Sequence, residues 1–340
     1  MVVAGISKGS QFYTIIYIYP MTLTETIENY LSHIPYPTQP EGLYEPISYV
    51  LSMGGKRLRP TLLLLSYSLF KDDIDTALPL AIGLETYHNH TLLHDDLMDN
   101  ADVRRGKPTV HKKWDANTAV LSGDAMLIIA FRHFIEARCE GKEQILELFA
   151  NTALEICEGQ QYDVNFERRC DVTESEYMEM IRLKTSVLLA CTAKAGALAA
   201  GASPEDAGTL YRFAEKMGLA FQVQDDWLDV YGDPKVFGKK IGGDILCGKK
   251  TYLLINALNR ADAAEKQRLL ALLADGDMPA AEKIAAVTHI YDALGISQLT
   301  LQTIDNLYKE ALAALDALSL PAERIAPLRQ YAGSLLGRKS

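Results

Sequence analysis

The chain has 340 residues, 48% of them hydrophobic and 23% charged, with a formal net charge of -10 at neutral pH. This composition excludes a disordered or low-complexity protein, and the acidic balance excludes a sequence-independent grip on nucleic acid, which needs an extended basic surface. Five scattered cysteines (Cys139, Cys157, Cys170, Cys191, Cys247) include no CxxC pair, so neither a disulfide framework nor a zinc site is expected, and a reducing cytoplasm is the simplest setting.

In chain order, residues 1–20 form an extension with a short β-prone run that ends at Pro20, too poorly basic at its start for a signal peptide. Met21 is the expected natural start, because Thr22 and Glu25 make a capping-box pattern that opens the first helix. From there apolar residues recur every three or four positions. Helices are predicted over 23–34, 42–53, 59–70, 74–99, 116–138, 143–168, 174–201, 204–231, 247–259, 262–274, 279–292, 295–317 and 322–336. Thr173 with Glu176, Ser203 before Pro204, Pro279 and Pro321 mark helix starts. The richest apolar stretch, "SVLLACTAKAGALAAGA", carries Lys194 in its middle, so no transmembrane segment is expected. With no βαβ alternation and no linker, the chain reads as all-α, with one large helical domain over 21–340. The glycine-rich "YGDPKVFGKKIGGDILCGKK" (231–250) reads as a loop of the kind that closes over a ligand.

Two acidic clusters stand out. In "LLHDDLMDNADVRRGKP", Asp95 and Asp99 are four apart on a helix and share a face, with Asp96 beside them. Neighbouring carboxylates repel, and a divalent cation reverses that balance; Mg²⁺ takes one or two carboxylates plus water and substrate phosphate. A lone cluster of this kind is more simply a solvated acidic helix end. "FQVQDDWLDVYGD" repeats the pattern at Asp225, Asp226 and Asp229, again at a helix C-terminus, where carboxylates oppose the helix dipole. Two such clusters facing across a bundle would suit metals that share one diphosphate. Basic residues fall nearby: Arg104 and Arg105 after the first cluster, Lys239 and Lys249 after the second, and Lys56, Arg57 and Arg59 in "GGKRLRP". His90, His94 and His111 read as packing or polar-network residues.

With "GGKRLRP" (54–60), "LLHDDLMDNADVRRGKPT" (92–109), "GQQYD" (159–163), "KT" (184–185) and "FQVQDDWLDVYGDPKVFGKKIGGDI" (221–245) in this order, the chain resembles the trans-isoprenyl diphosphate synthases, or polyprenyl synthetases, of the short-chain type. The resemblance implies an all-α bundle of isoprenoid synthase type around a central cavity, a homodimer, and condensation of isopentenyl diphosphate with an allylic diphosphate (dimethylallyl, geranyl or farnesyl). It implies Mg²⁺ on Asp95, Asp99 and Asp225, with Asp96, Asp229 and Asp244 in or near that shell. Arg104, Lys184, Lys239 and Lys249 would hold the allylic diphosphate, and Lys56, Arg59, His88 and Arg105 the diphosphate of isopentenyl diphosphate. Thr185, Gln222, Gln160 and Asp163 would line the reacting region, so catalysis is expected from Asp95, Asp99, Arg104, Lys184, Asp225 and Lys239. In "FGKKIGGD" the extra lysine lets Lys240 exchange roles with Lys239, and Arg338 and Lys339 are candidates to close the isopentenyl site.

The family sets product length near residues four and five before the first aspartate, here Thr91 and His90, with Tyr87 one turn below. The intermediate bulk of His90 favours a C20 product, with C15 next. A class I terpene cyclase is the weaker reading because the second DDxxD and "GGKRLRP" are intact, and a non-catalytic regulatory subunit is weaker because both aspartate motifs are kept.

Overall fold

The computed structural model describes residues 22–233 and 241–336. The extension 1–20, Lys239, Lys240, Arg338 and Lys339 lie outside the described residues. Helix α1 (Leu23–Ser32) starts at the expected capping box: the Thr22 hydroxyl accepts the Glu25 N–H at 3.2 Å and Glu25 accepts the Thr22 N–H at 2.7 Å. Then come α2 (Glu45–Leu51), α3 (Leu58–Ser68) and α4 (Leu78–Met98). The predicted helix over 74–99 is divided, because Pro79 fits only in the first turn of a helix; Ile74–Thr76 forms a separate 3₁₀ turn before it.

A small hairpin interrupts the all-helix reading. Val103–Arg104 (β1) pairs antiparallel with Lys107–Pro108 (β2). Its turn residues Arg105 and Gly106 have φ of 51° and 74°, and positive φ at both positions is the type I′ geometry that matches the twist of paired strands. Arginine is a poor resident of that region, which is why residues 103–108 carry no visible hairpin signal.

After α5 (Val110–Lys113) come the long helices α6 (Ala116–Glu136), α7 (Lys142–Glu167), α8 (Glu174–Ile181), α9 (Val187–Ala199) and α10 (Pro204–Tyr231). The predicted helix over 174–201 is not continuous: Arg182–Ser186 winds as a π-helical turn between α8 and α9. Inside the expected loop lies a one-turn helix, α11 (Gly243–Cys247), followed by α12 (Tyr252–Arg260), α13 (Ala263–Ala274), α14 (Ala280–Ala293), α15 (Ile296–Asp316) and α16 (Ala322–Leu336).

Three apolar regions join these helices. One packs α3, α4, α6, α7 and α9 around Leu63, Leu84, Tyr87, Phe134 and Phe149; a second packs α8, α10, α12, α14 and α15 around Leu253, Val287 and Tyr291; a third closes α16 over α9, α10 and α15 through Phe213, Leu315 and Leu328. The space between α4, α7, the π-helical turn and α10 is left for the site.

Among the described residues α6 is long and apolar enough, by length and composition, to cross a membrane. Its charges, Asp124, Arg132 and Glu136, are few against a run of apolar residues. Its Leu121, Ile128 and Ile135 recur every seven residues and are 60%, 60% and 55% exposed, while Ala119, Met126, Ala130 and Phe134 on the opposite side are buried in the core.

Candidate active site

Residues of α4 at three- and four-residue spacing, Glu85, His88, Leu92 and Asp95, share one face and line a cavity of about 670 Å³. The other walls carry Asp163 of α7, Lys184 and Thr185 of the π-helical turn, Gln222, Asp225 and Asp226 of α10, and Lys249 and Thr251 ahead of α12. The loop before α3 supplies Lys56, the first turn of α3 supplies Arg59, and the hairpin supplies Arg105. Residues far apart in sequence thus meet in one cavity with two chemically different parts.

At one edge, cations sit among carboxylates. Lys184 Nζ lies 2.6 Å from Asp163 Oδ2 and 3.4 Å from Asp95 Oδ1. Arg104 Nε donates to Asp96 Oδ2 at 2.7 Å, and its Nη2 lies 3.8 Å from Asp95. Lys249 Nζ is 3.9 Å from Asp244. Burial would push Lys249 down, yet the carboxylates of Asp244, Asp226, Asp163 and Asp95 hold it above its ordinary value. Burial, then the neighbouring Asp95, pushes Asp99 up; burial does the same to Asp96, opposed by Arg104. The second oxygen of Asp96 is buried with no hydrogen-bond partner, an orphan acceptor beside this edge.

The aspartates of the second cluster divide. Both Asp225 and Asp226 reach the cavity wall, but Asp225 is only half-buried. Asp226 is buried and accepts the Tyr252 N–H at 2.9 Å and the Tyr177 hydroxyl at 2.5 Å, and burial pushes it up to about 7. Asp229 Oδ2 accepts the Asp244 N–H at 3.0 Å, and its carbonyl accepts the Gly242 N–H at 2.6 Å, which pins the far end of the glycine-rich segment. Thr185 donates to Gln222 at 3.2 Å, and Gln222 donates to Asp226 at 3.4 Å.

The other part is basic. His88 lies among Arg59, Arg105 and Arg104; burial first, then these cations, hold it well below its ordinary value, so its imidazole is neutral. Burial pushes Arg59 down to about 10, still protonated at neutral pH, and its Nε is buried without a partner. An unpaired buried donor between cations marks a place for an anion. Arg105 donates to the Gly54 carbonyl, and its guanidinium lies where a side chain at Gly55 would stand.

Arg57 departs from the basic set expected of "GGKRLRP". It is fully buried, held by Glu28 and Glu85 at 2.7 Å each and by the Leu51 carbonyl at 2.7 Å, so it fixes the loop from behind. The chain-length candidates also lie off the cavity wall. His90 Nδ1 donates to the Gly123 carbonyl at 2.8 Å, between the rings of Tyr87 and His94, while the Thr91 hydroxyl donates to the His88 carbonyl. Gln160 is half-buried on α7. Sequence reasoning missed Glu85, Glu28 and Tyr177. Glu85 had a signal, as the one formal charge in the apolar run 78–94; Tyr177 had none.

The sequence matches the polyprenyl synthetase family over residues 40–293. It is 38% identical over 293 residues to a short chain isoprenyl diphosphate synthase of Methanothermobacter thermautotrophicus, covering 86% of each chain. It is 39% identical over 274 residues to a geranylfarnesyl diphosphate synthase of Natronomonas pharaonis, covering 75% of this chain and 78% of that one. A crystal structure of geranylgeranyl pyrophosphate synthase superposes with a TM-score of 0.89 at 43% identity, covering 94% of this chain and 98% of that chain. The chain belongs to the polyprenyl synthetase family and is a prenyltransferase.

Proposed function

We propose that the chain joins isopentenyl diphosphate head-to-tail to an allylic diphosphate and releases a short all-trans prenyl diphosphate of C20 or C15. The observation that carries this is the division of one cavity into a carboxylate-and-lysine edge (Asp95, Asp163, Lys184, Asp225, Lys249) and an arginine-and-histidine part (Arg59, His88, Arg105, with Lys56). Two diphosphates of different treatment fit two such parts. A cyclase, with one diphosphate to hold, has no use for the second.

Among the described residues no three His, Cys, Asp or Glu side chains converge closely enough to enclose a metal alone. That suits Mg²⁺, which takes one or two carboxylates and completes its shell with water and phosphate. The orphan oxygen of Asp96 and the hard oxygen donors of Asp95, Asp99 and Asp225 fit it, with Asp229 and Asp244 behind them. Bound there, Mg²⁺ supplies positive charge that offsets the charge developing on the departing diphosphate.

The protein's own groups do the rest. Lys184, Arg104 and Lys249, with Lys239 from the segment outside the described residues, hold the allylic diphosphate and stabilise it as the C–O bond ionises. Lys56, Arg59, Arg105 and neutral His88 hold isopentenyl diphosphate with its double bond toward the allylic carbon. Apolar Leu92, Met180, Ile181 and Phe221 keep water from the cation. The double bond attacks, and the released diphosphate takes the proton that is lost. Thr185, Gln222 and Asp163 set the polar groups around this point. The exposed stripe of α6 supports a homodimer.

The test is product analysis: purified chain, Mg²⁺ and labelled isopentenyl diphosphate, offered dimethylallyl, geranyl or farnesyl diphosphate in turn. One dominant C15 or C20 product, lost on chelation, supports the reading. Turnover without isopentenyl diphosphate would favour a cyclase, and diphosphate binding without turnover a regulatory subunit.

A further inference from the structure

We propose that Gly159 and Gly218 are positioning residues that hold the π-helical turn in the one placement that aims Lys184 and Thr185 into the cavity. The inference rests on the role proposed for Lys184 in holding the allylic diphosphate.

The Val187 N–H bonds to the Arg182 carbonyl five residues back, so the turn 182–186 holds one residue more than an α-helix would. One added residue rotates the downstream helix, α9, by about 100°. Such a turn is an unfavourable winding that neighbours must hold in place. Here the neighbours approach at backbone contact. A Cβ on Gly159 of α7 would stand 2.3 Å from the Lys184 backbone nitrogen and 2.7 Å from the Leu183 carbonyl carbon. A Cβ on Gly218 of α10 would stand 2.7 Å from Ser186 Cα and 2.8 Å from its Oγ. Any side chain at either glycine must therefore push the turn itself.

Each glycine also lies one helical turn before the group that receives a side chain of the turn. Asp163, four residues after Gly159, takes Lys184 Nζ; Gln222, four after Gly218, takes the Thr185 hydroxyl. Each helix thus offers a gap for the backbone and, on the same face, an acceptor for the side chain. Displacement of about 1 Å at such a site can cost about 100-fold in rate.

The experiment measures kcat, both KM values and melting temperature for Gly159→Ala, Gly218→Ala, Lys184→Ala and the Gly159→Ala/Lys184→Ala pair. Gly196→Ala is the structural control: its Cβ would meet the Leu63 carbonyl oxygen at 2.4 Å, a backbone approach within the core. The expected result is a fall in kcat of about 10-fold or more for each site glycine, with KM for isopentenyl diphosphate within about 2-fold. In the Lys184→Ala background, Gly159→Ala should cost clearly less than it costs the parent, because only Thr185 is left to aim. Gly196→Ala should lower the melting temperature and leave kcat measured well below it. Equal losses with and without Lys184, or no loss, overturn the positioning role. Unchanged kinetics in Lys184→Ala overturn the role of Lys184 and the positioning with it; an impaired Lys184→Ala beside an unchanged Gly159→Ala overturns the positioning alone. Should the alanine variants not fold, deletion of Ser186 replaces them. It restores an α-helical spacing between Arg182 and Val187 and keeps Lys184 and Thr185. A folded deletion protein of wild-type kcat would overturn the proposal, and one reduced about 10-fold or more would support it.

Discussion

Arg57 Nη1 donates to Glu85 Oε1 at 2.7 Å, with side chains 0% and 3% exposed, and Arg57 itself sits at φ 46°. A non-glycine residue in the left-handed region is held there by its partners. Glu28 of α1 completes the clamp, so the first helix fixes the loop that carries Lys56 and leads into Arg59 on α3. Removing one partner of a buried pair costs about 3–5 kcal/mol, because the other charge is left buried. Arg57→Leu should therefore lower stability to denaturant by that order and raise KM for isopentenyl diphosphate more than KM for the allylic substrate. Equal changes in both KM values would detach the clamp from the loop.

Asp225 and Asp226 are adjacent and identical in kind, yet opposite effects are expected. Asp226→Ala leaves the Tyr252 N–H and the Tyr177 hydroxyl without their acceptor, at about 1–3 kcal/mol for each buried group. Its melting temperature should fall clearly. Asp225→Asn, at the cavity wall, should melt like the parent and lose about 100-fold or more in kcat, since charge stabilisation there is worth several kcal/mol. The same pattern in both variants would mean that the two aspartates do not divide in this way.

Much of this site was legible in the sequence. Asp95 and Asp99 follow from four-residue spacing, and the capping boxes at Thr22 and Thr173 place two helix starts to the residue. The part that stayed hidden depends on tertiary contact. Nothing local separates Asp225 from Asp226, because the difference is made by Tyr177 and Tyr252 on other helices. Nothing local turns Arg57 inward, because Glu85 and Glu28 lie on α4 and α1. The π-helical turn is hidden too, since its sequence "RLKTS" continues a good helical pattern and only the glycines opposite mark the break.

The stripe Leu121, Ile128 and Ile135 on α6, with Val120 and with Leu154 of α7, leaves large apolar side chains in solvent. Exposed apolar side chains in a stripe of this kind are what a second copy would cover. Leu121→Asp with Ile128→Asp should halve the mass measured by light scattering and leave the helical content unchanged. A parent protein that is already monomeric would remove the dimer.

Burial, then His94, pushes His90 down to about 4, against about 6.5 in an unfolded chain. Between those values the unfolded chain binds a proton that the folded chain refuses, so stability is lost as pH falls from about 6.5 toward 4. His88 is shifted the same way, so the informative quantity is a difference. His90→Gln should lose about 2–3 kcal/mol less than the parent over that window, measured by denaturant midpoints. Parallel curves would mean that His90 is as free to protonate in the folded chain as in the unfolded one.

His90 also carries the expectation about product length, and its packing changes how that expectation is read. Its ring is fixed between Tyr87 and His94 by the hydrogen bond to Gly123, on the side of α4 that faces α6 and away from the wall lined by His88, Leu92 and Asp95. A growing chain that passes the aspartates reaches this layer only by moving between α4 and its neighbours. His90→Ala would open that layer by the volume of an imidazole, and Gly123 would lose the second donor to its carbonyl. His90→Phe adds bulk to the same layer and cannot donate to Gly123, so it presses α4 away from α6 and toward the cavity. Longer products from His90→Ala and shorter ones from His90→Phe are therefore expected, read by chromatography of the dephosphorylated alcohols. Unchanged distributions in both would leave chain length to the side chains that line the cavity itself, with Phe221 and Ile181 the next to be enlarged or reduced.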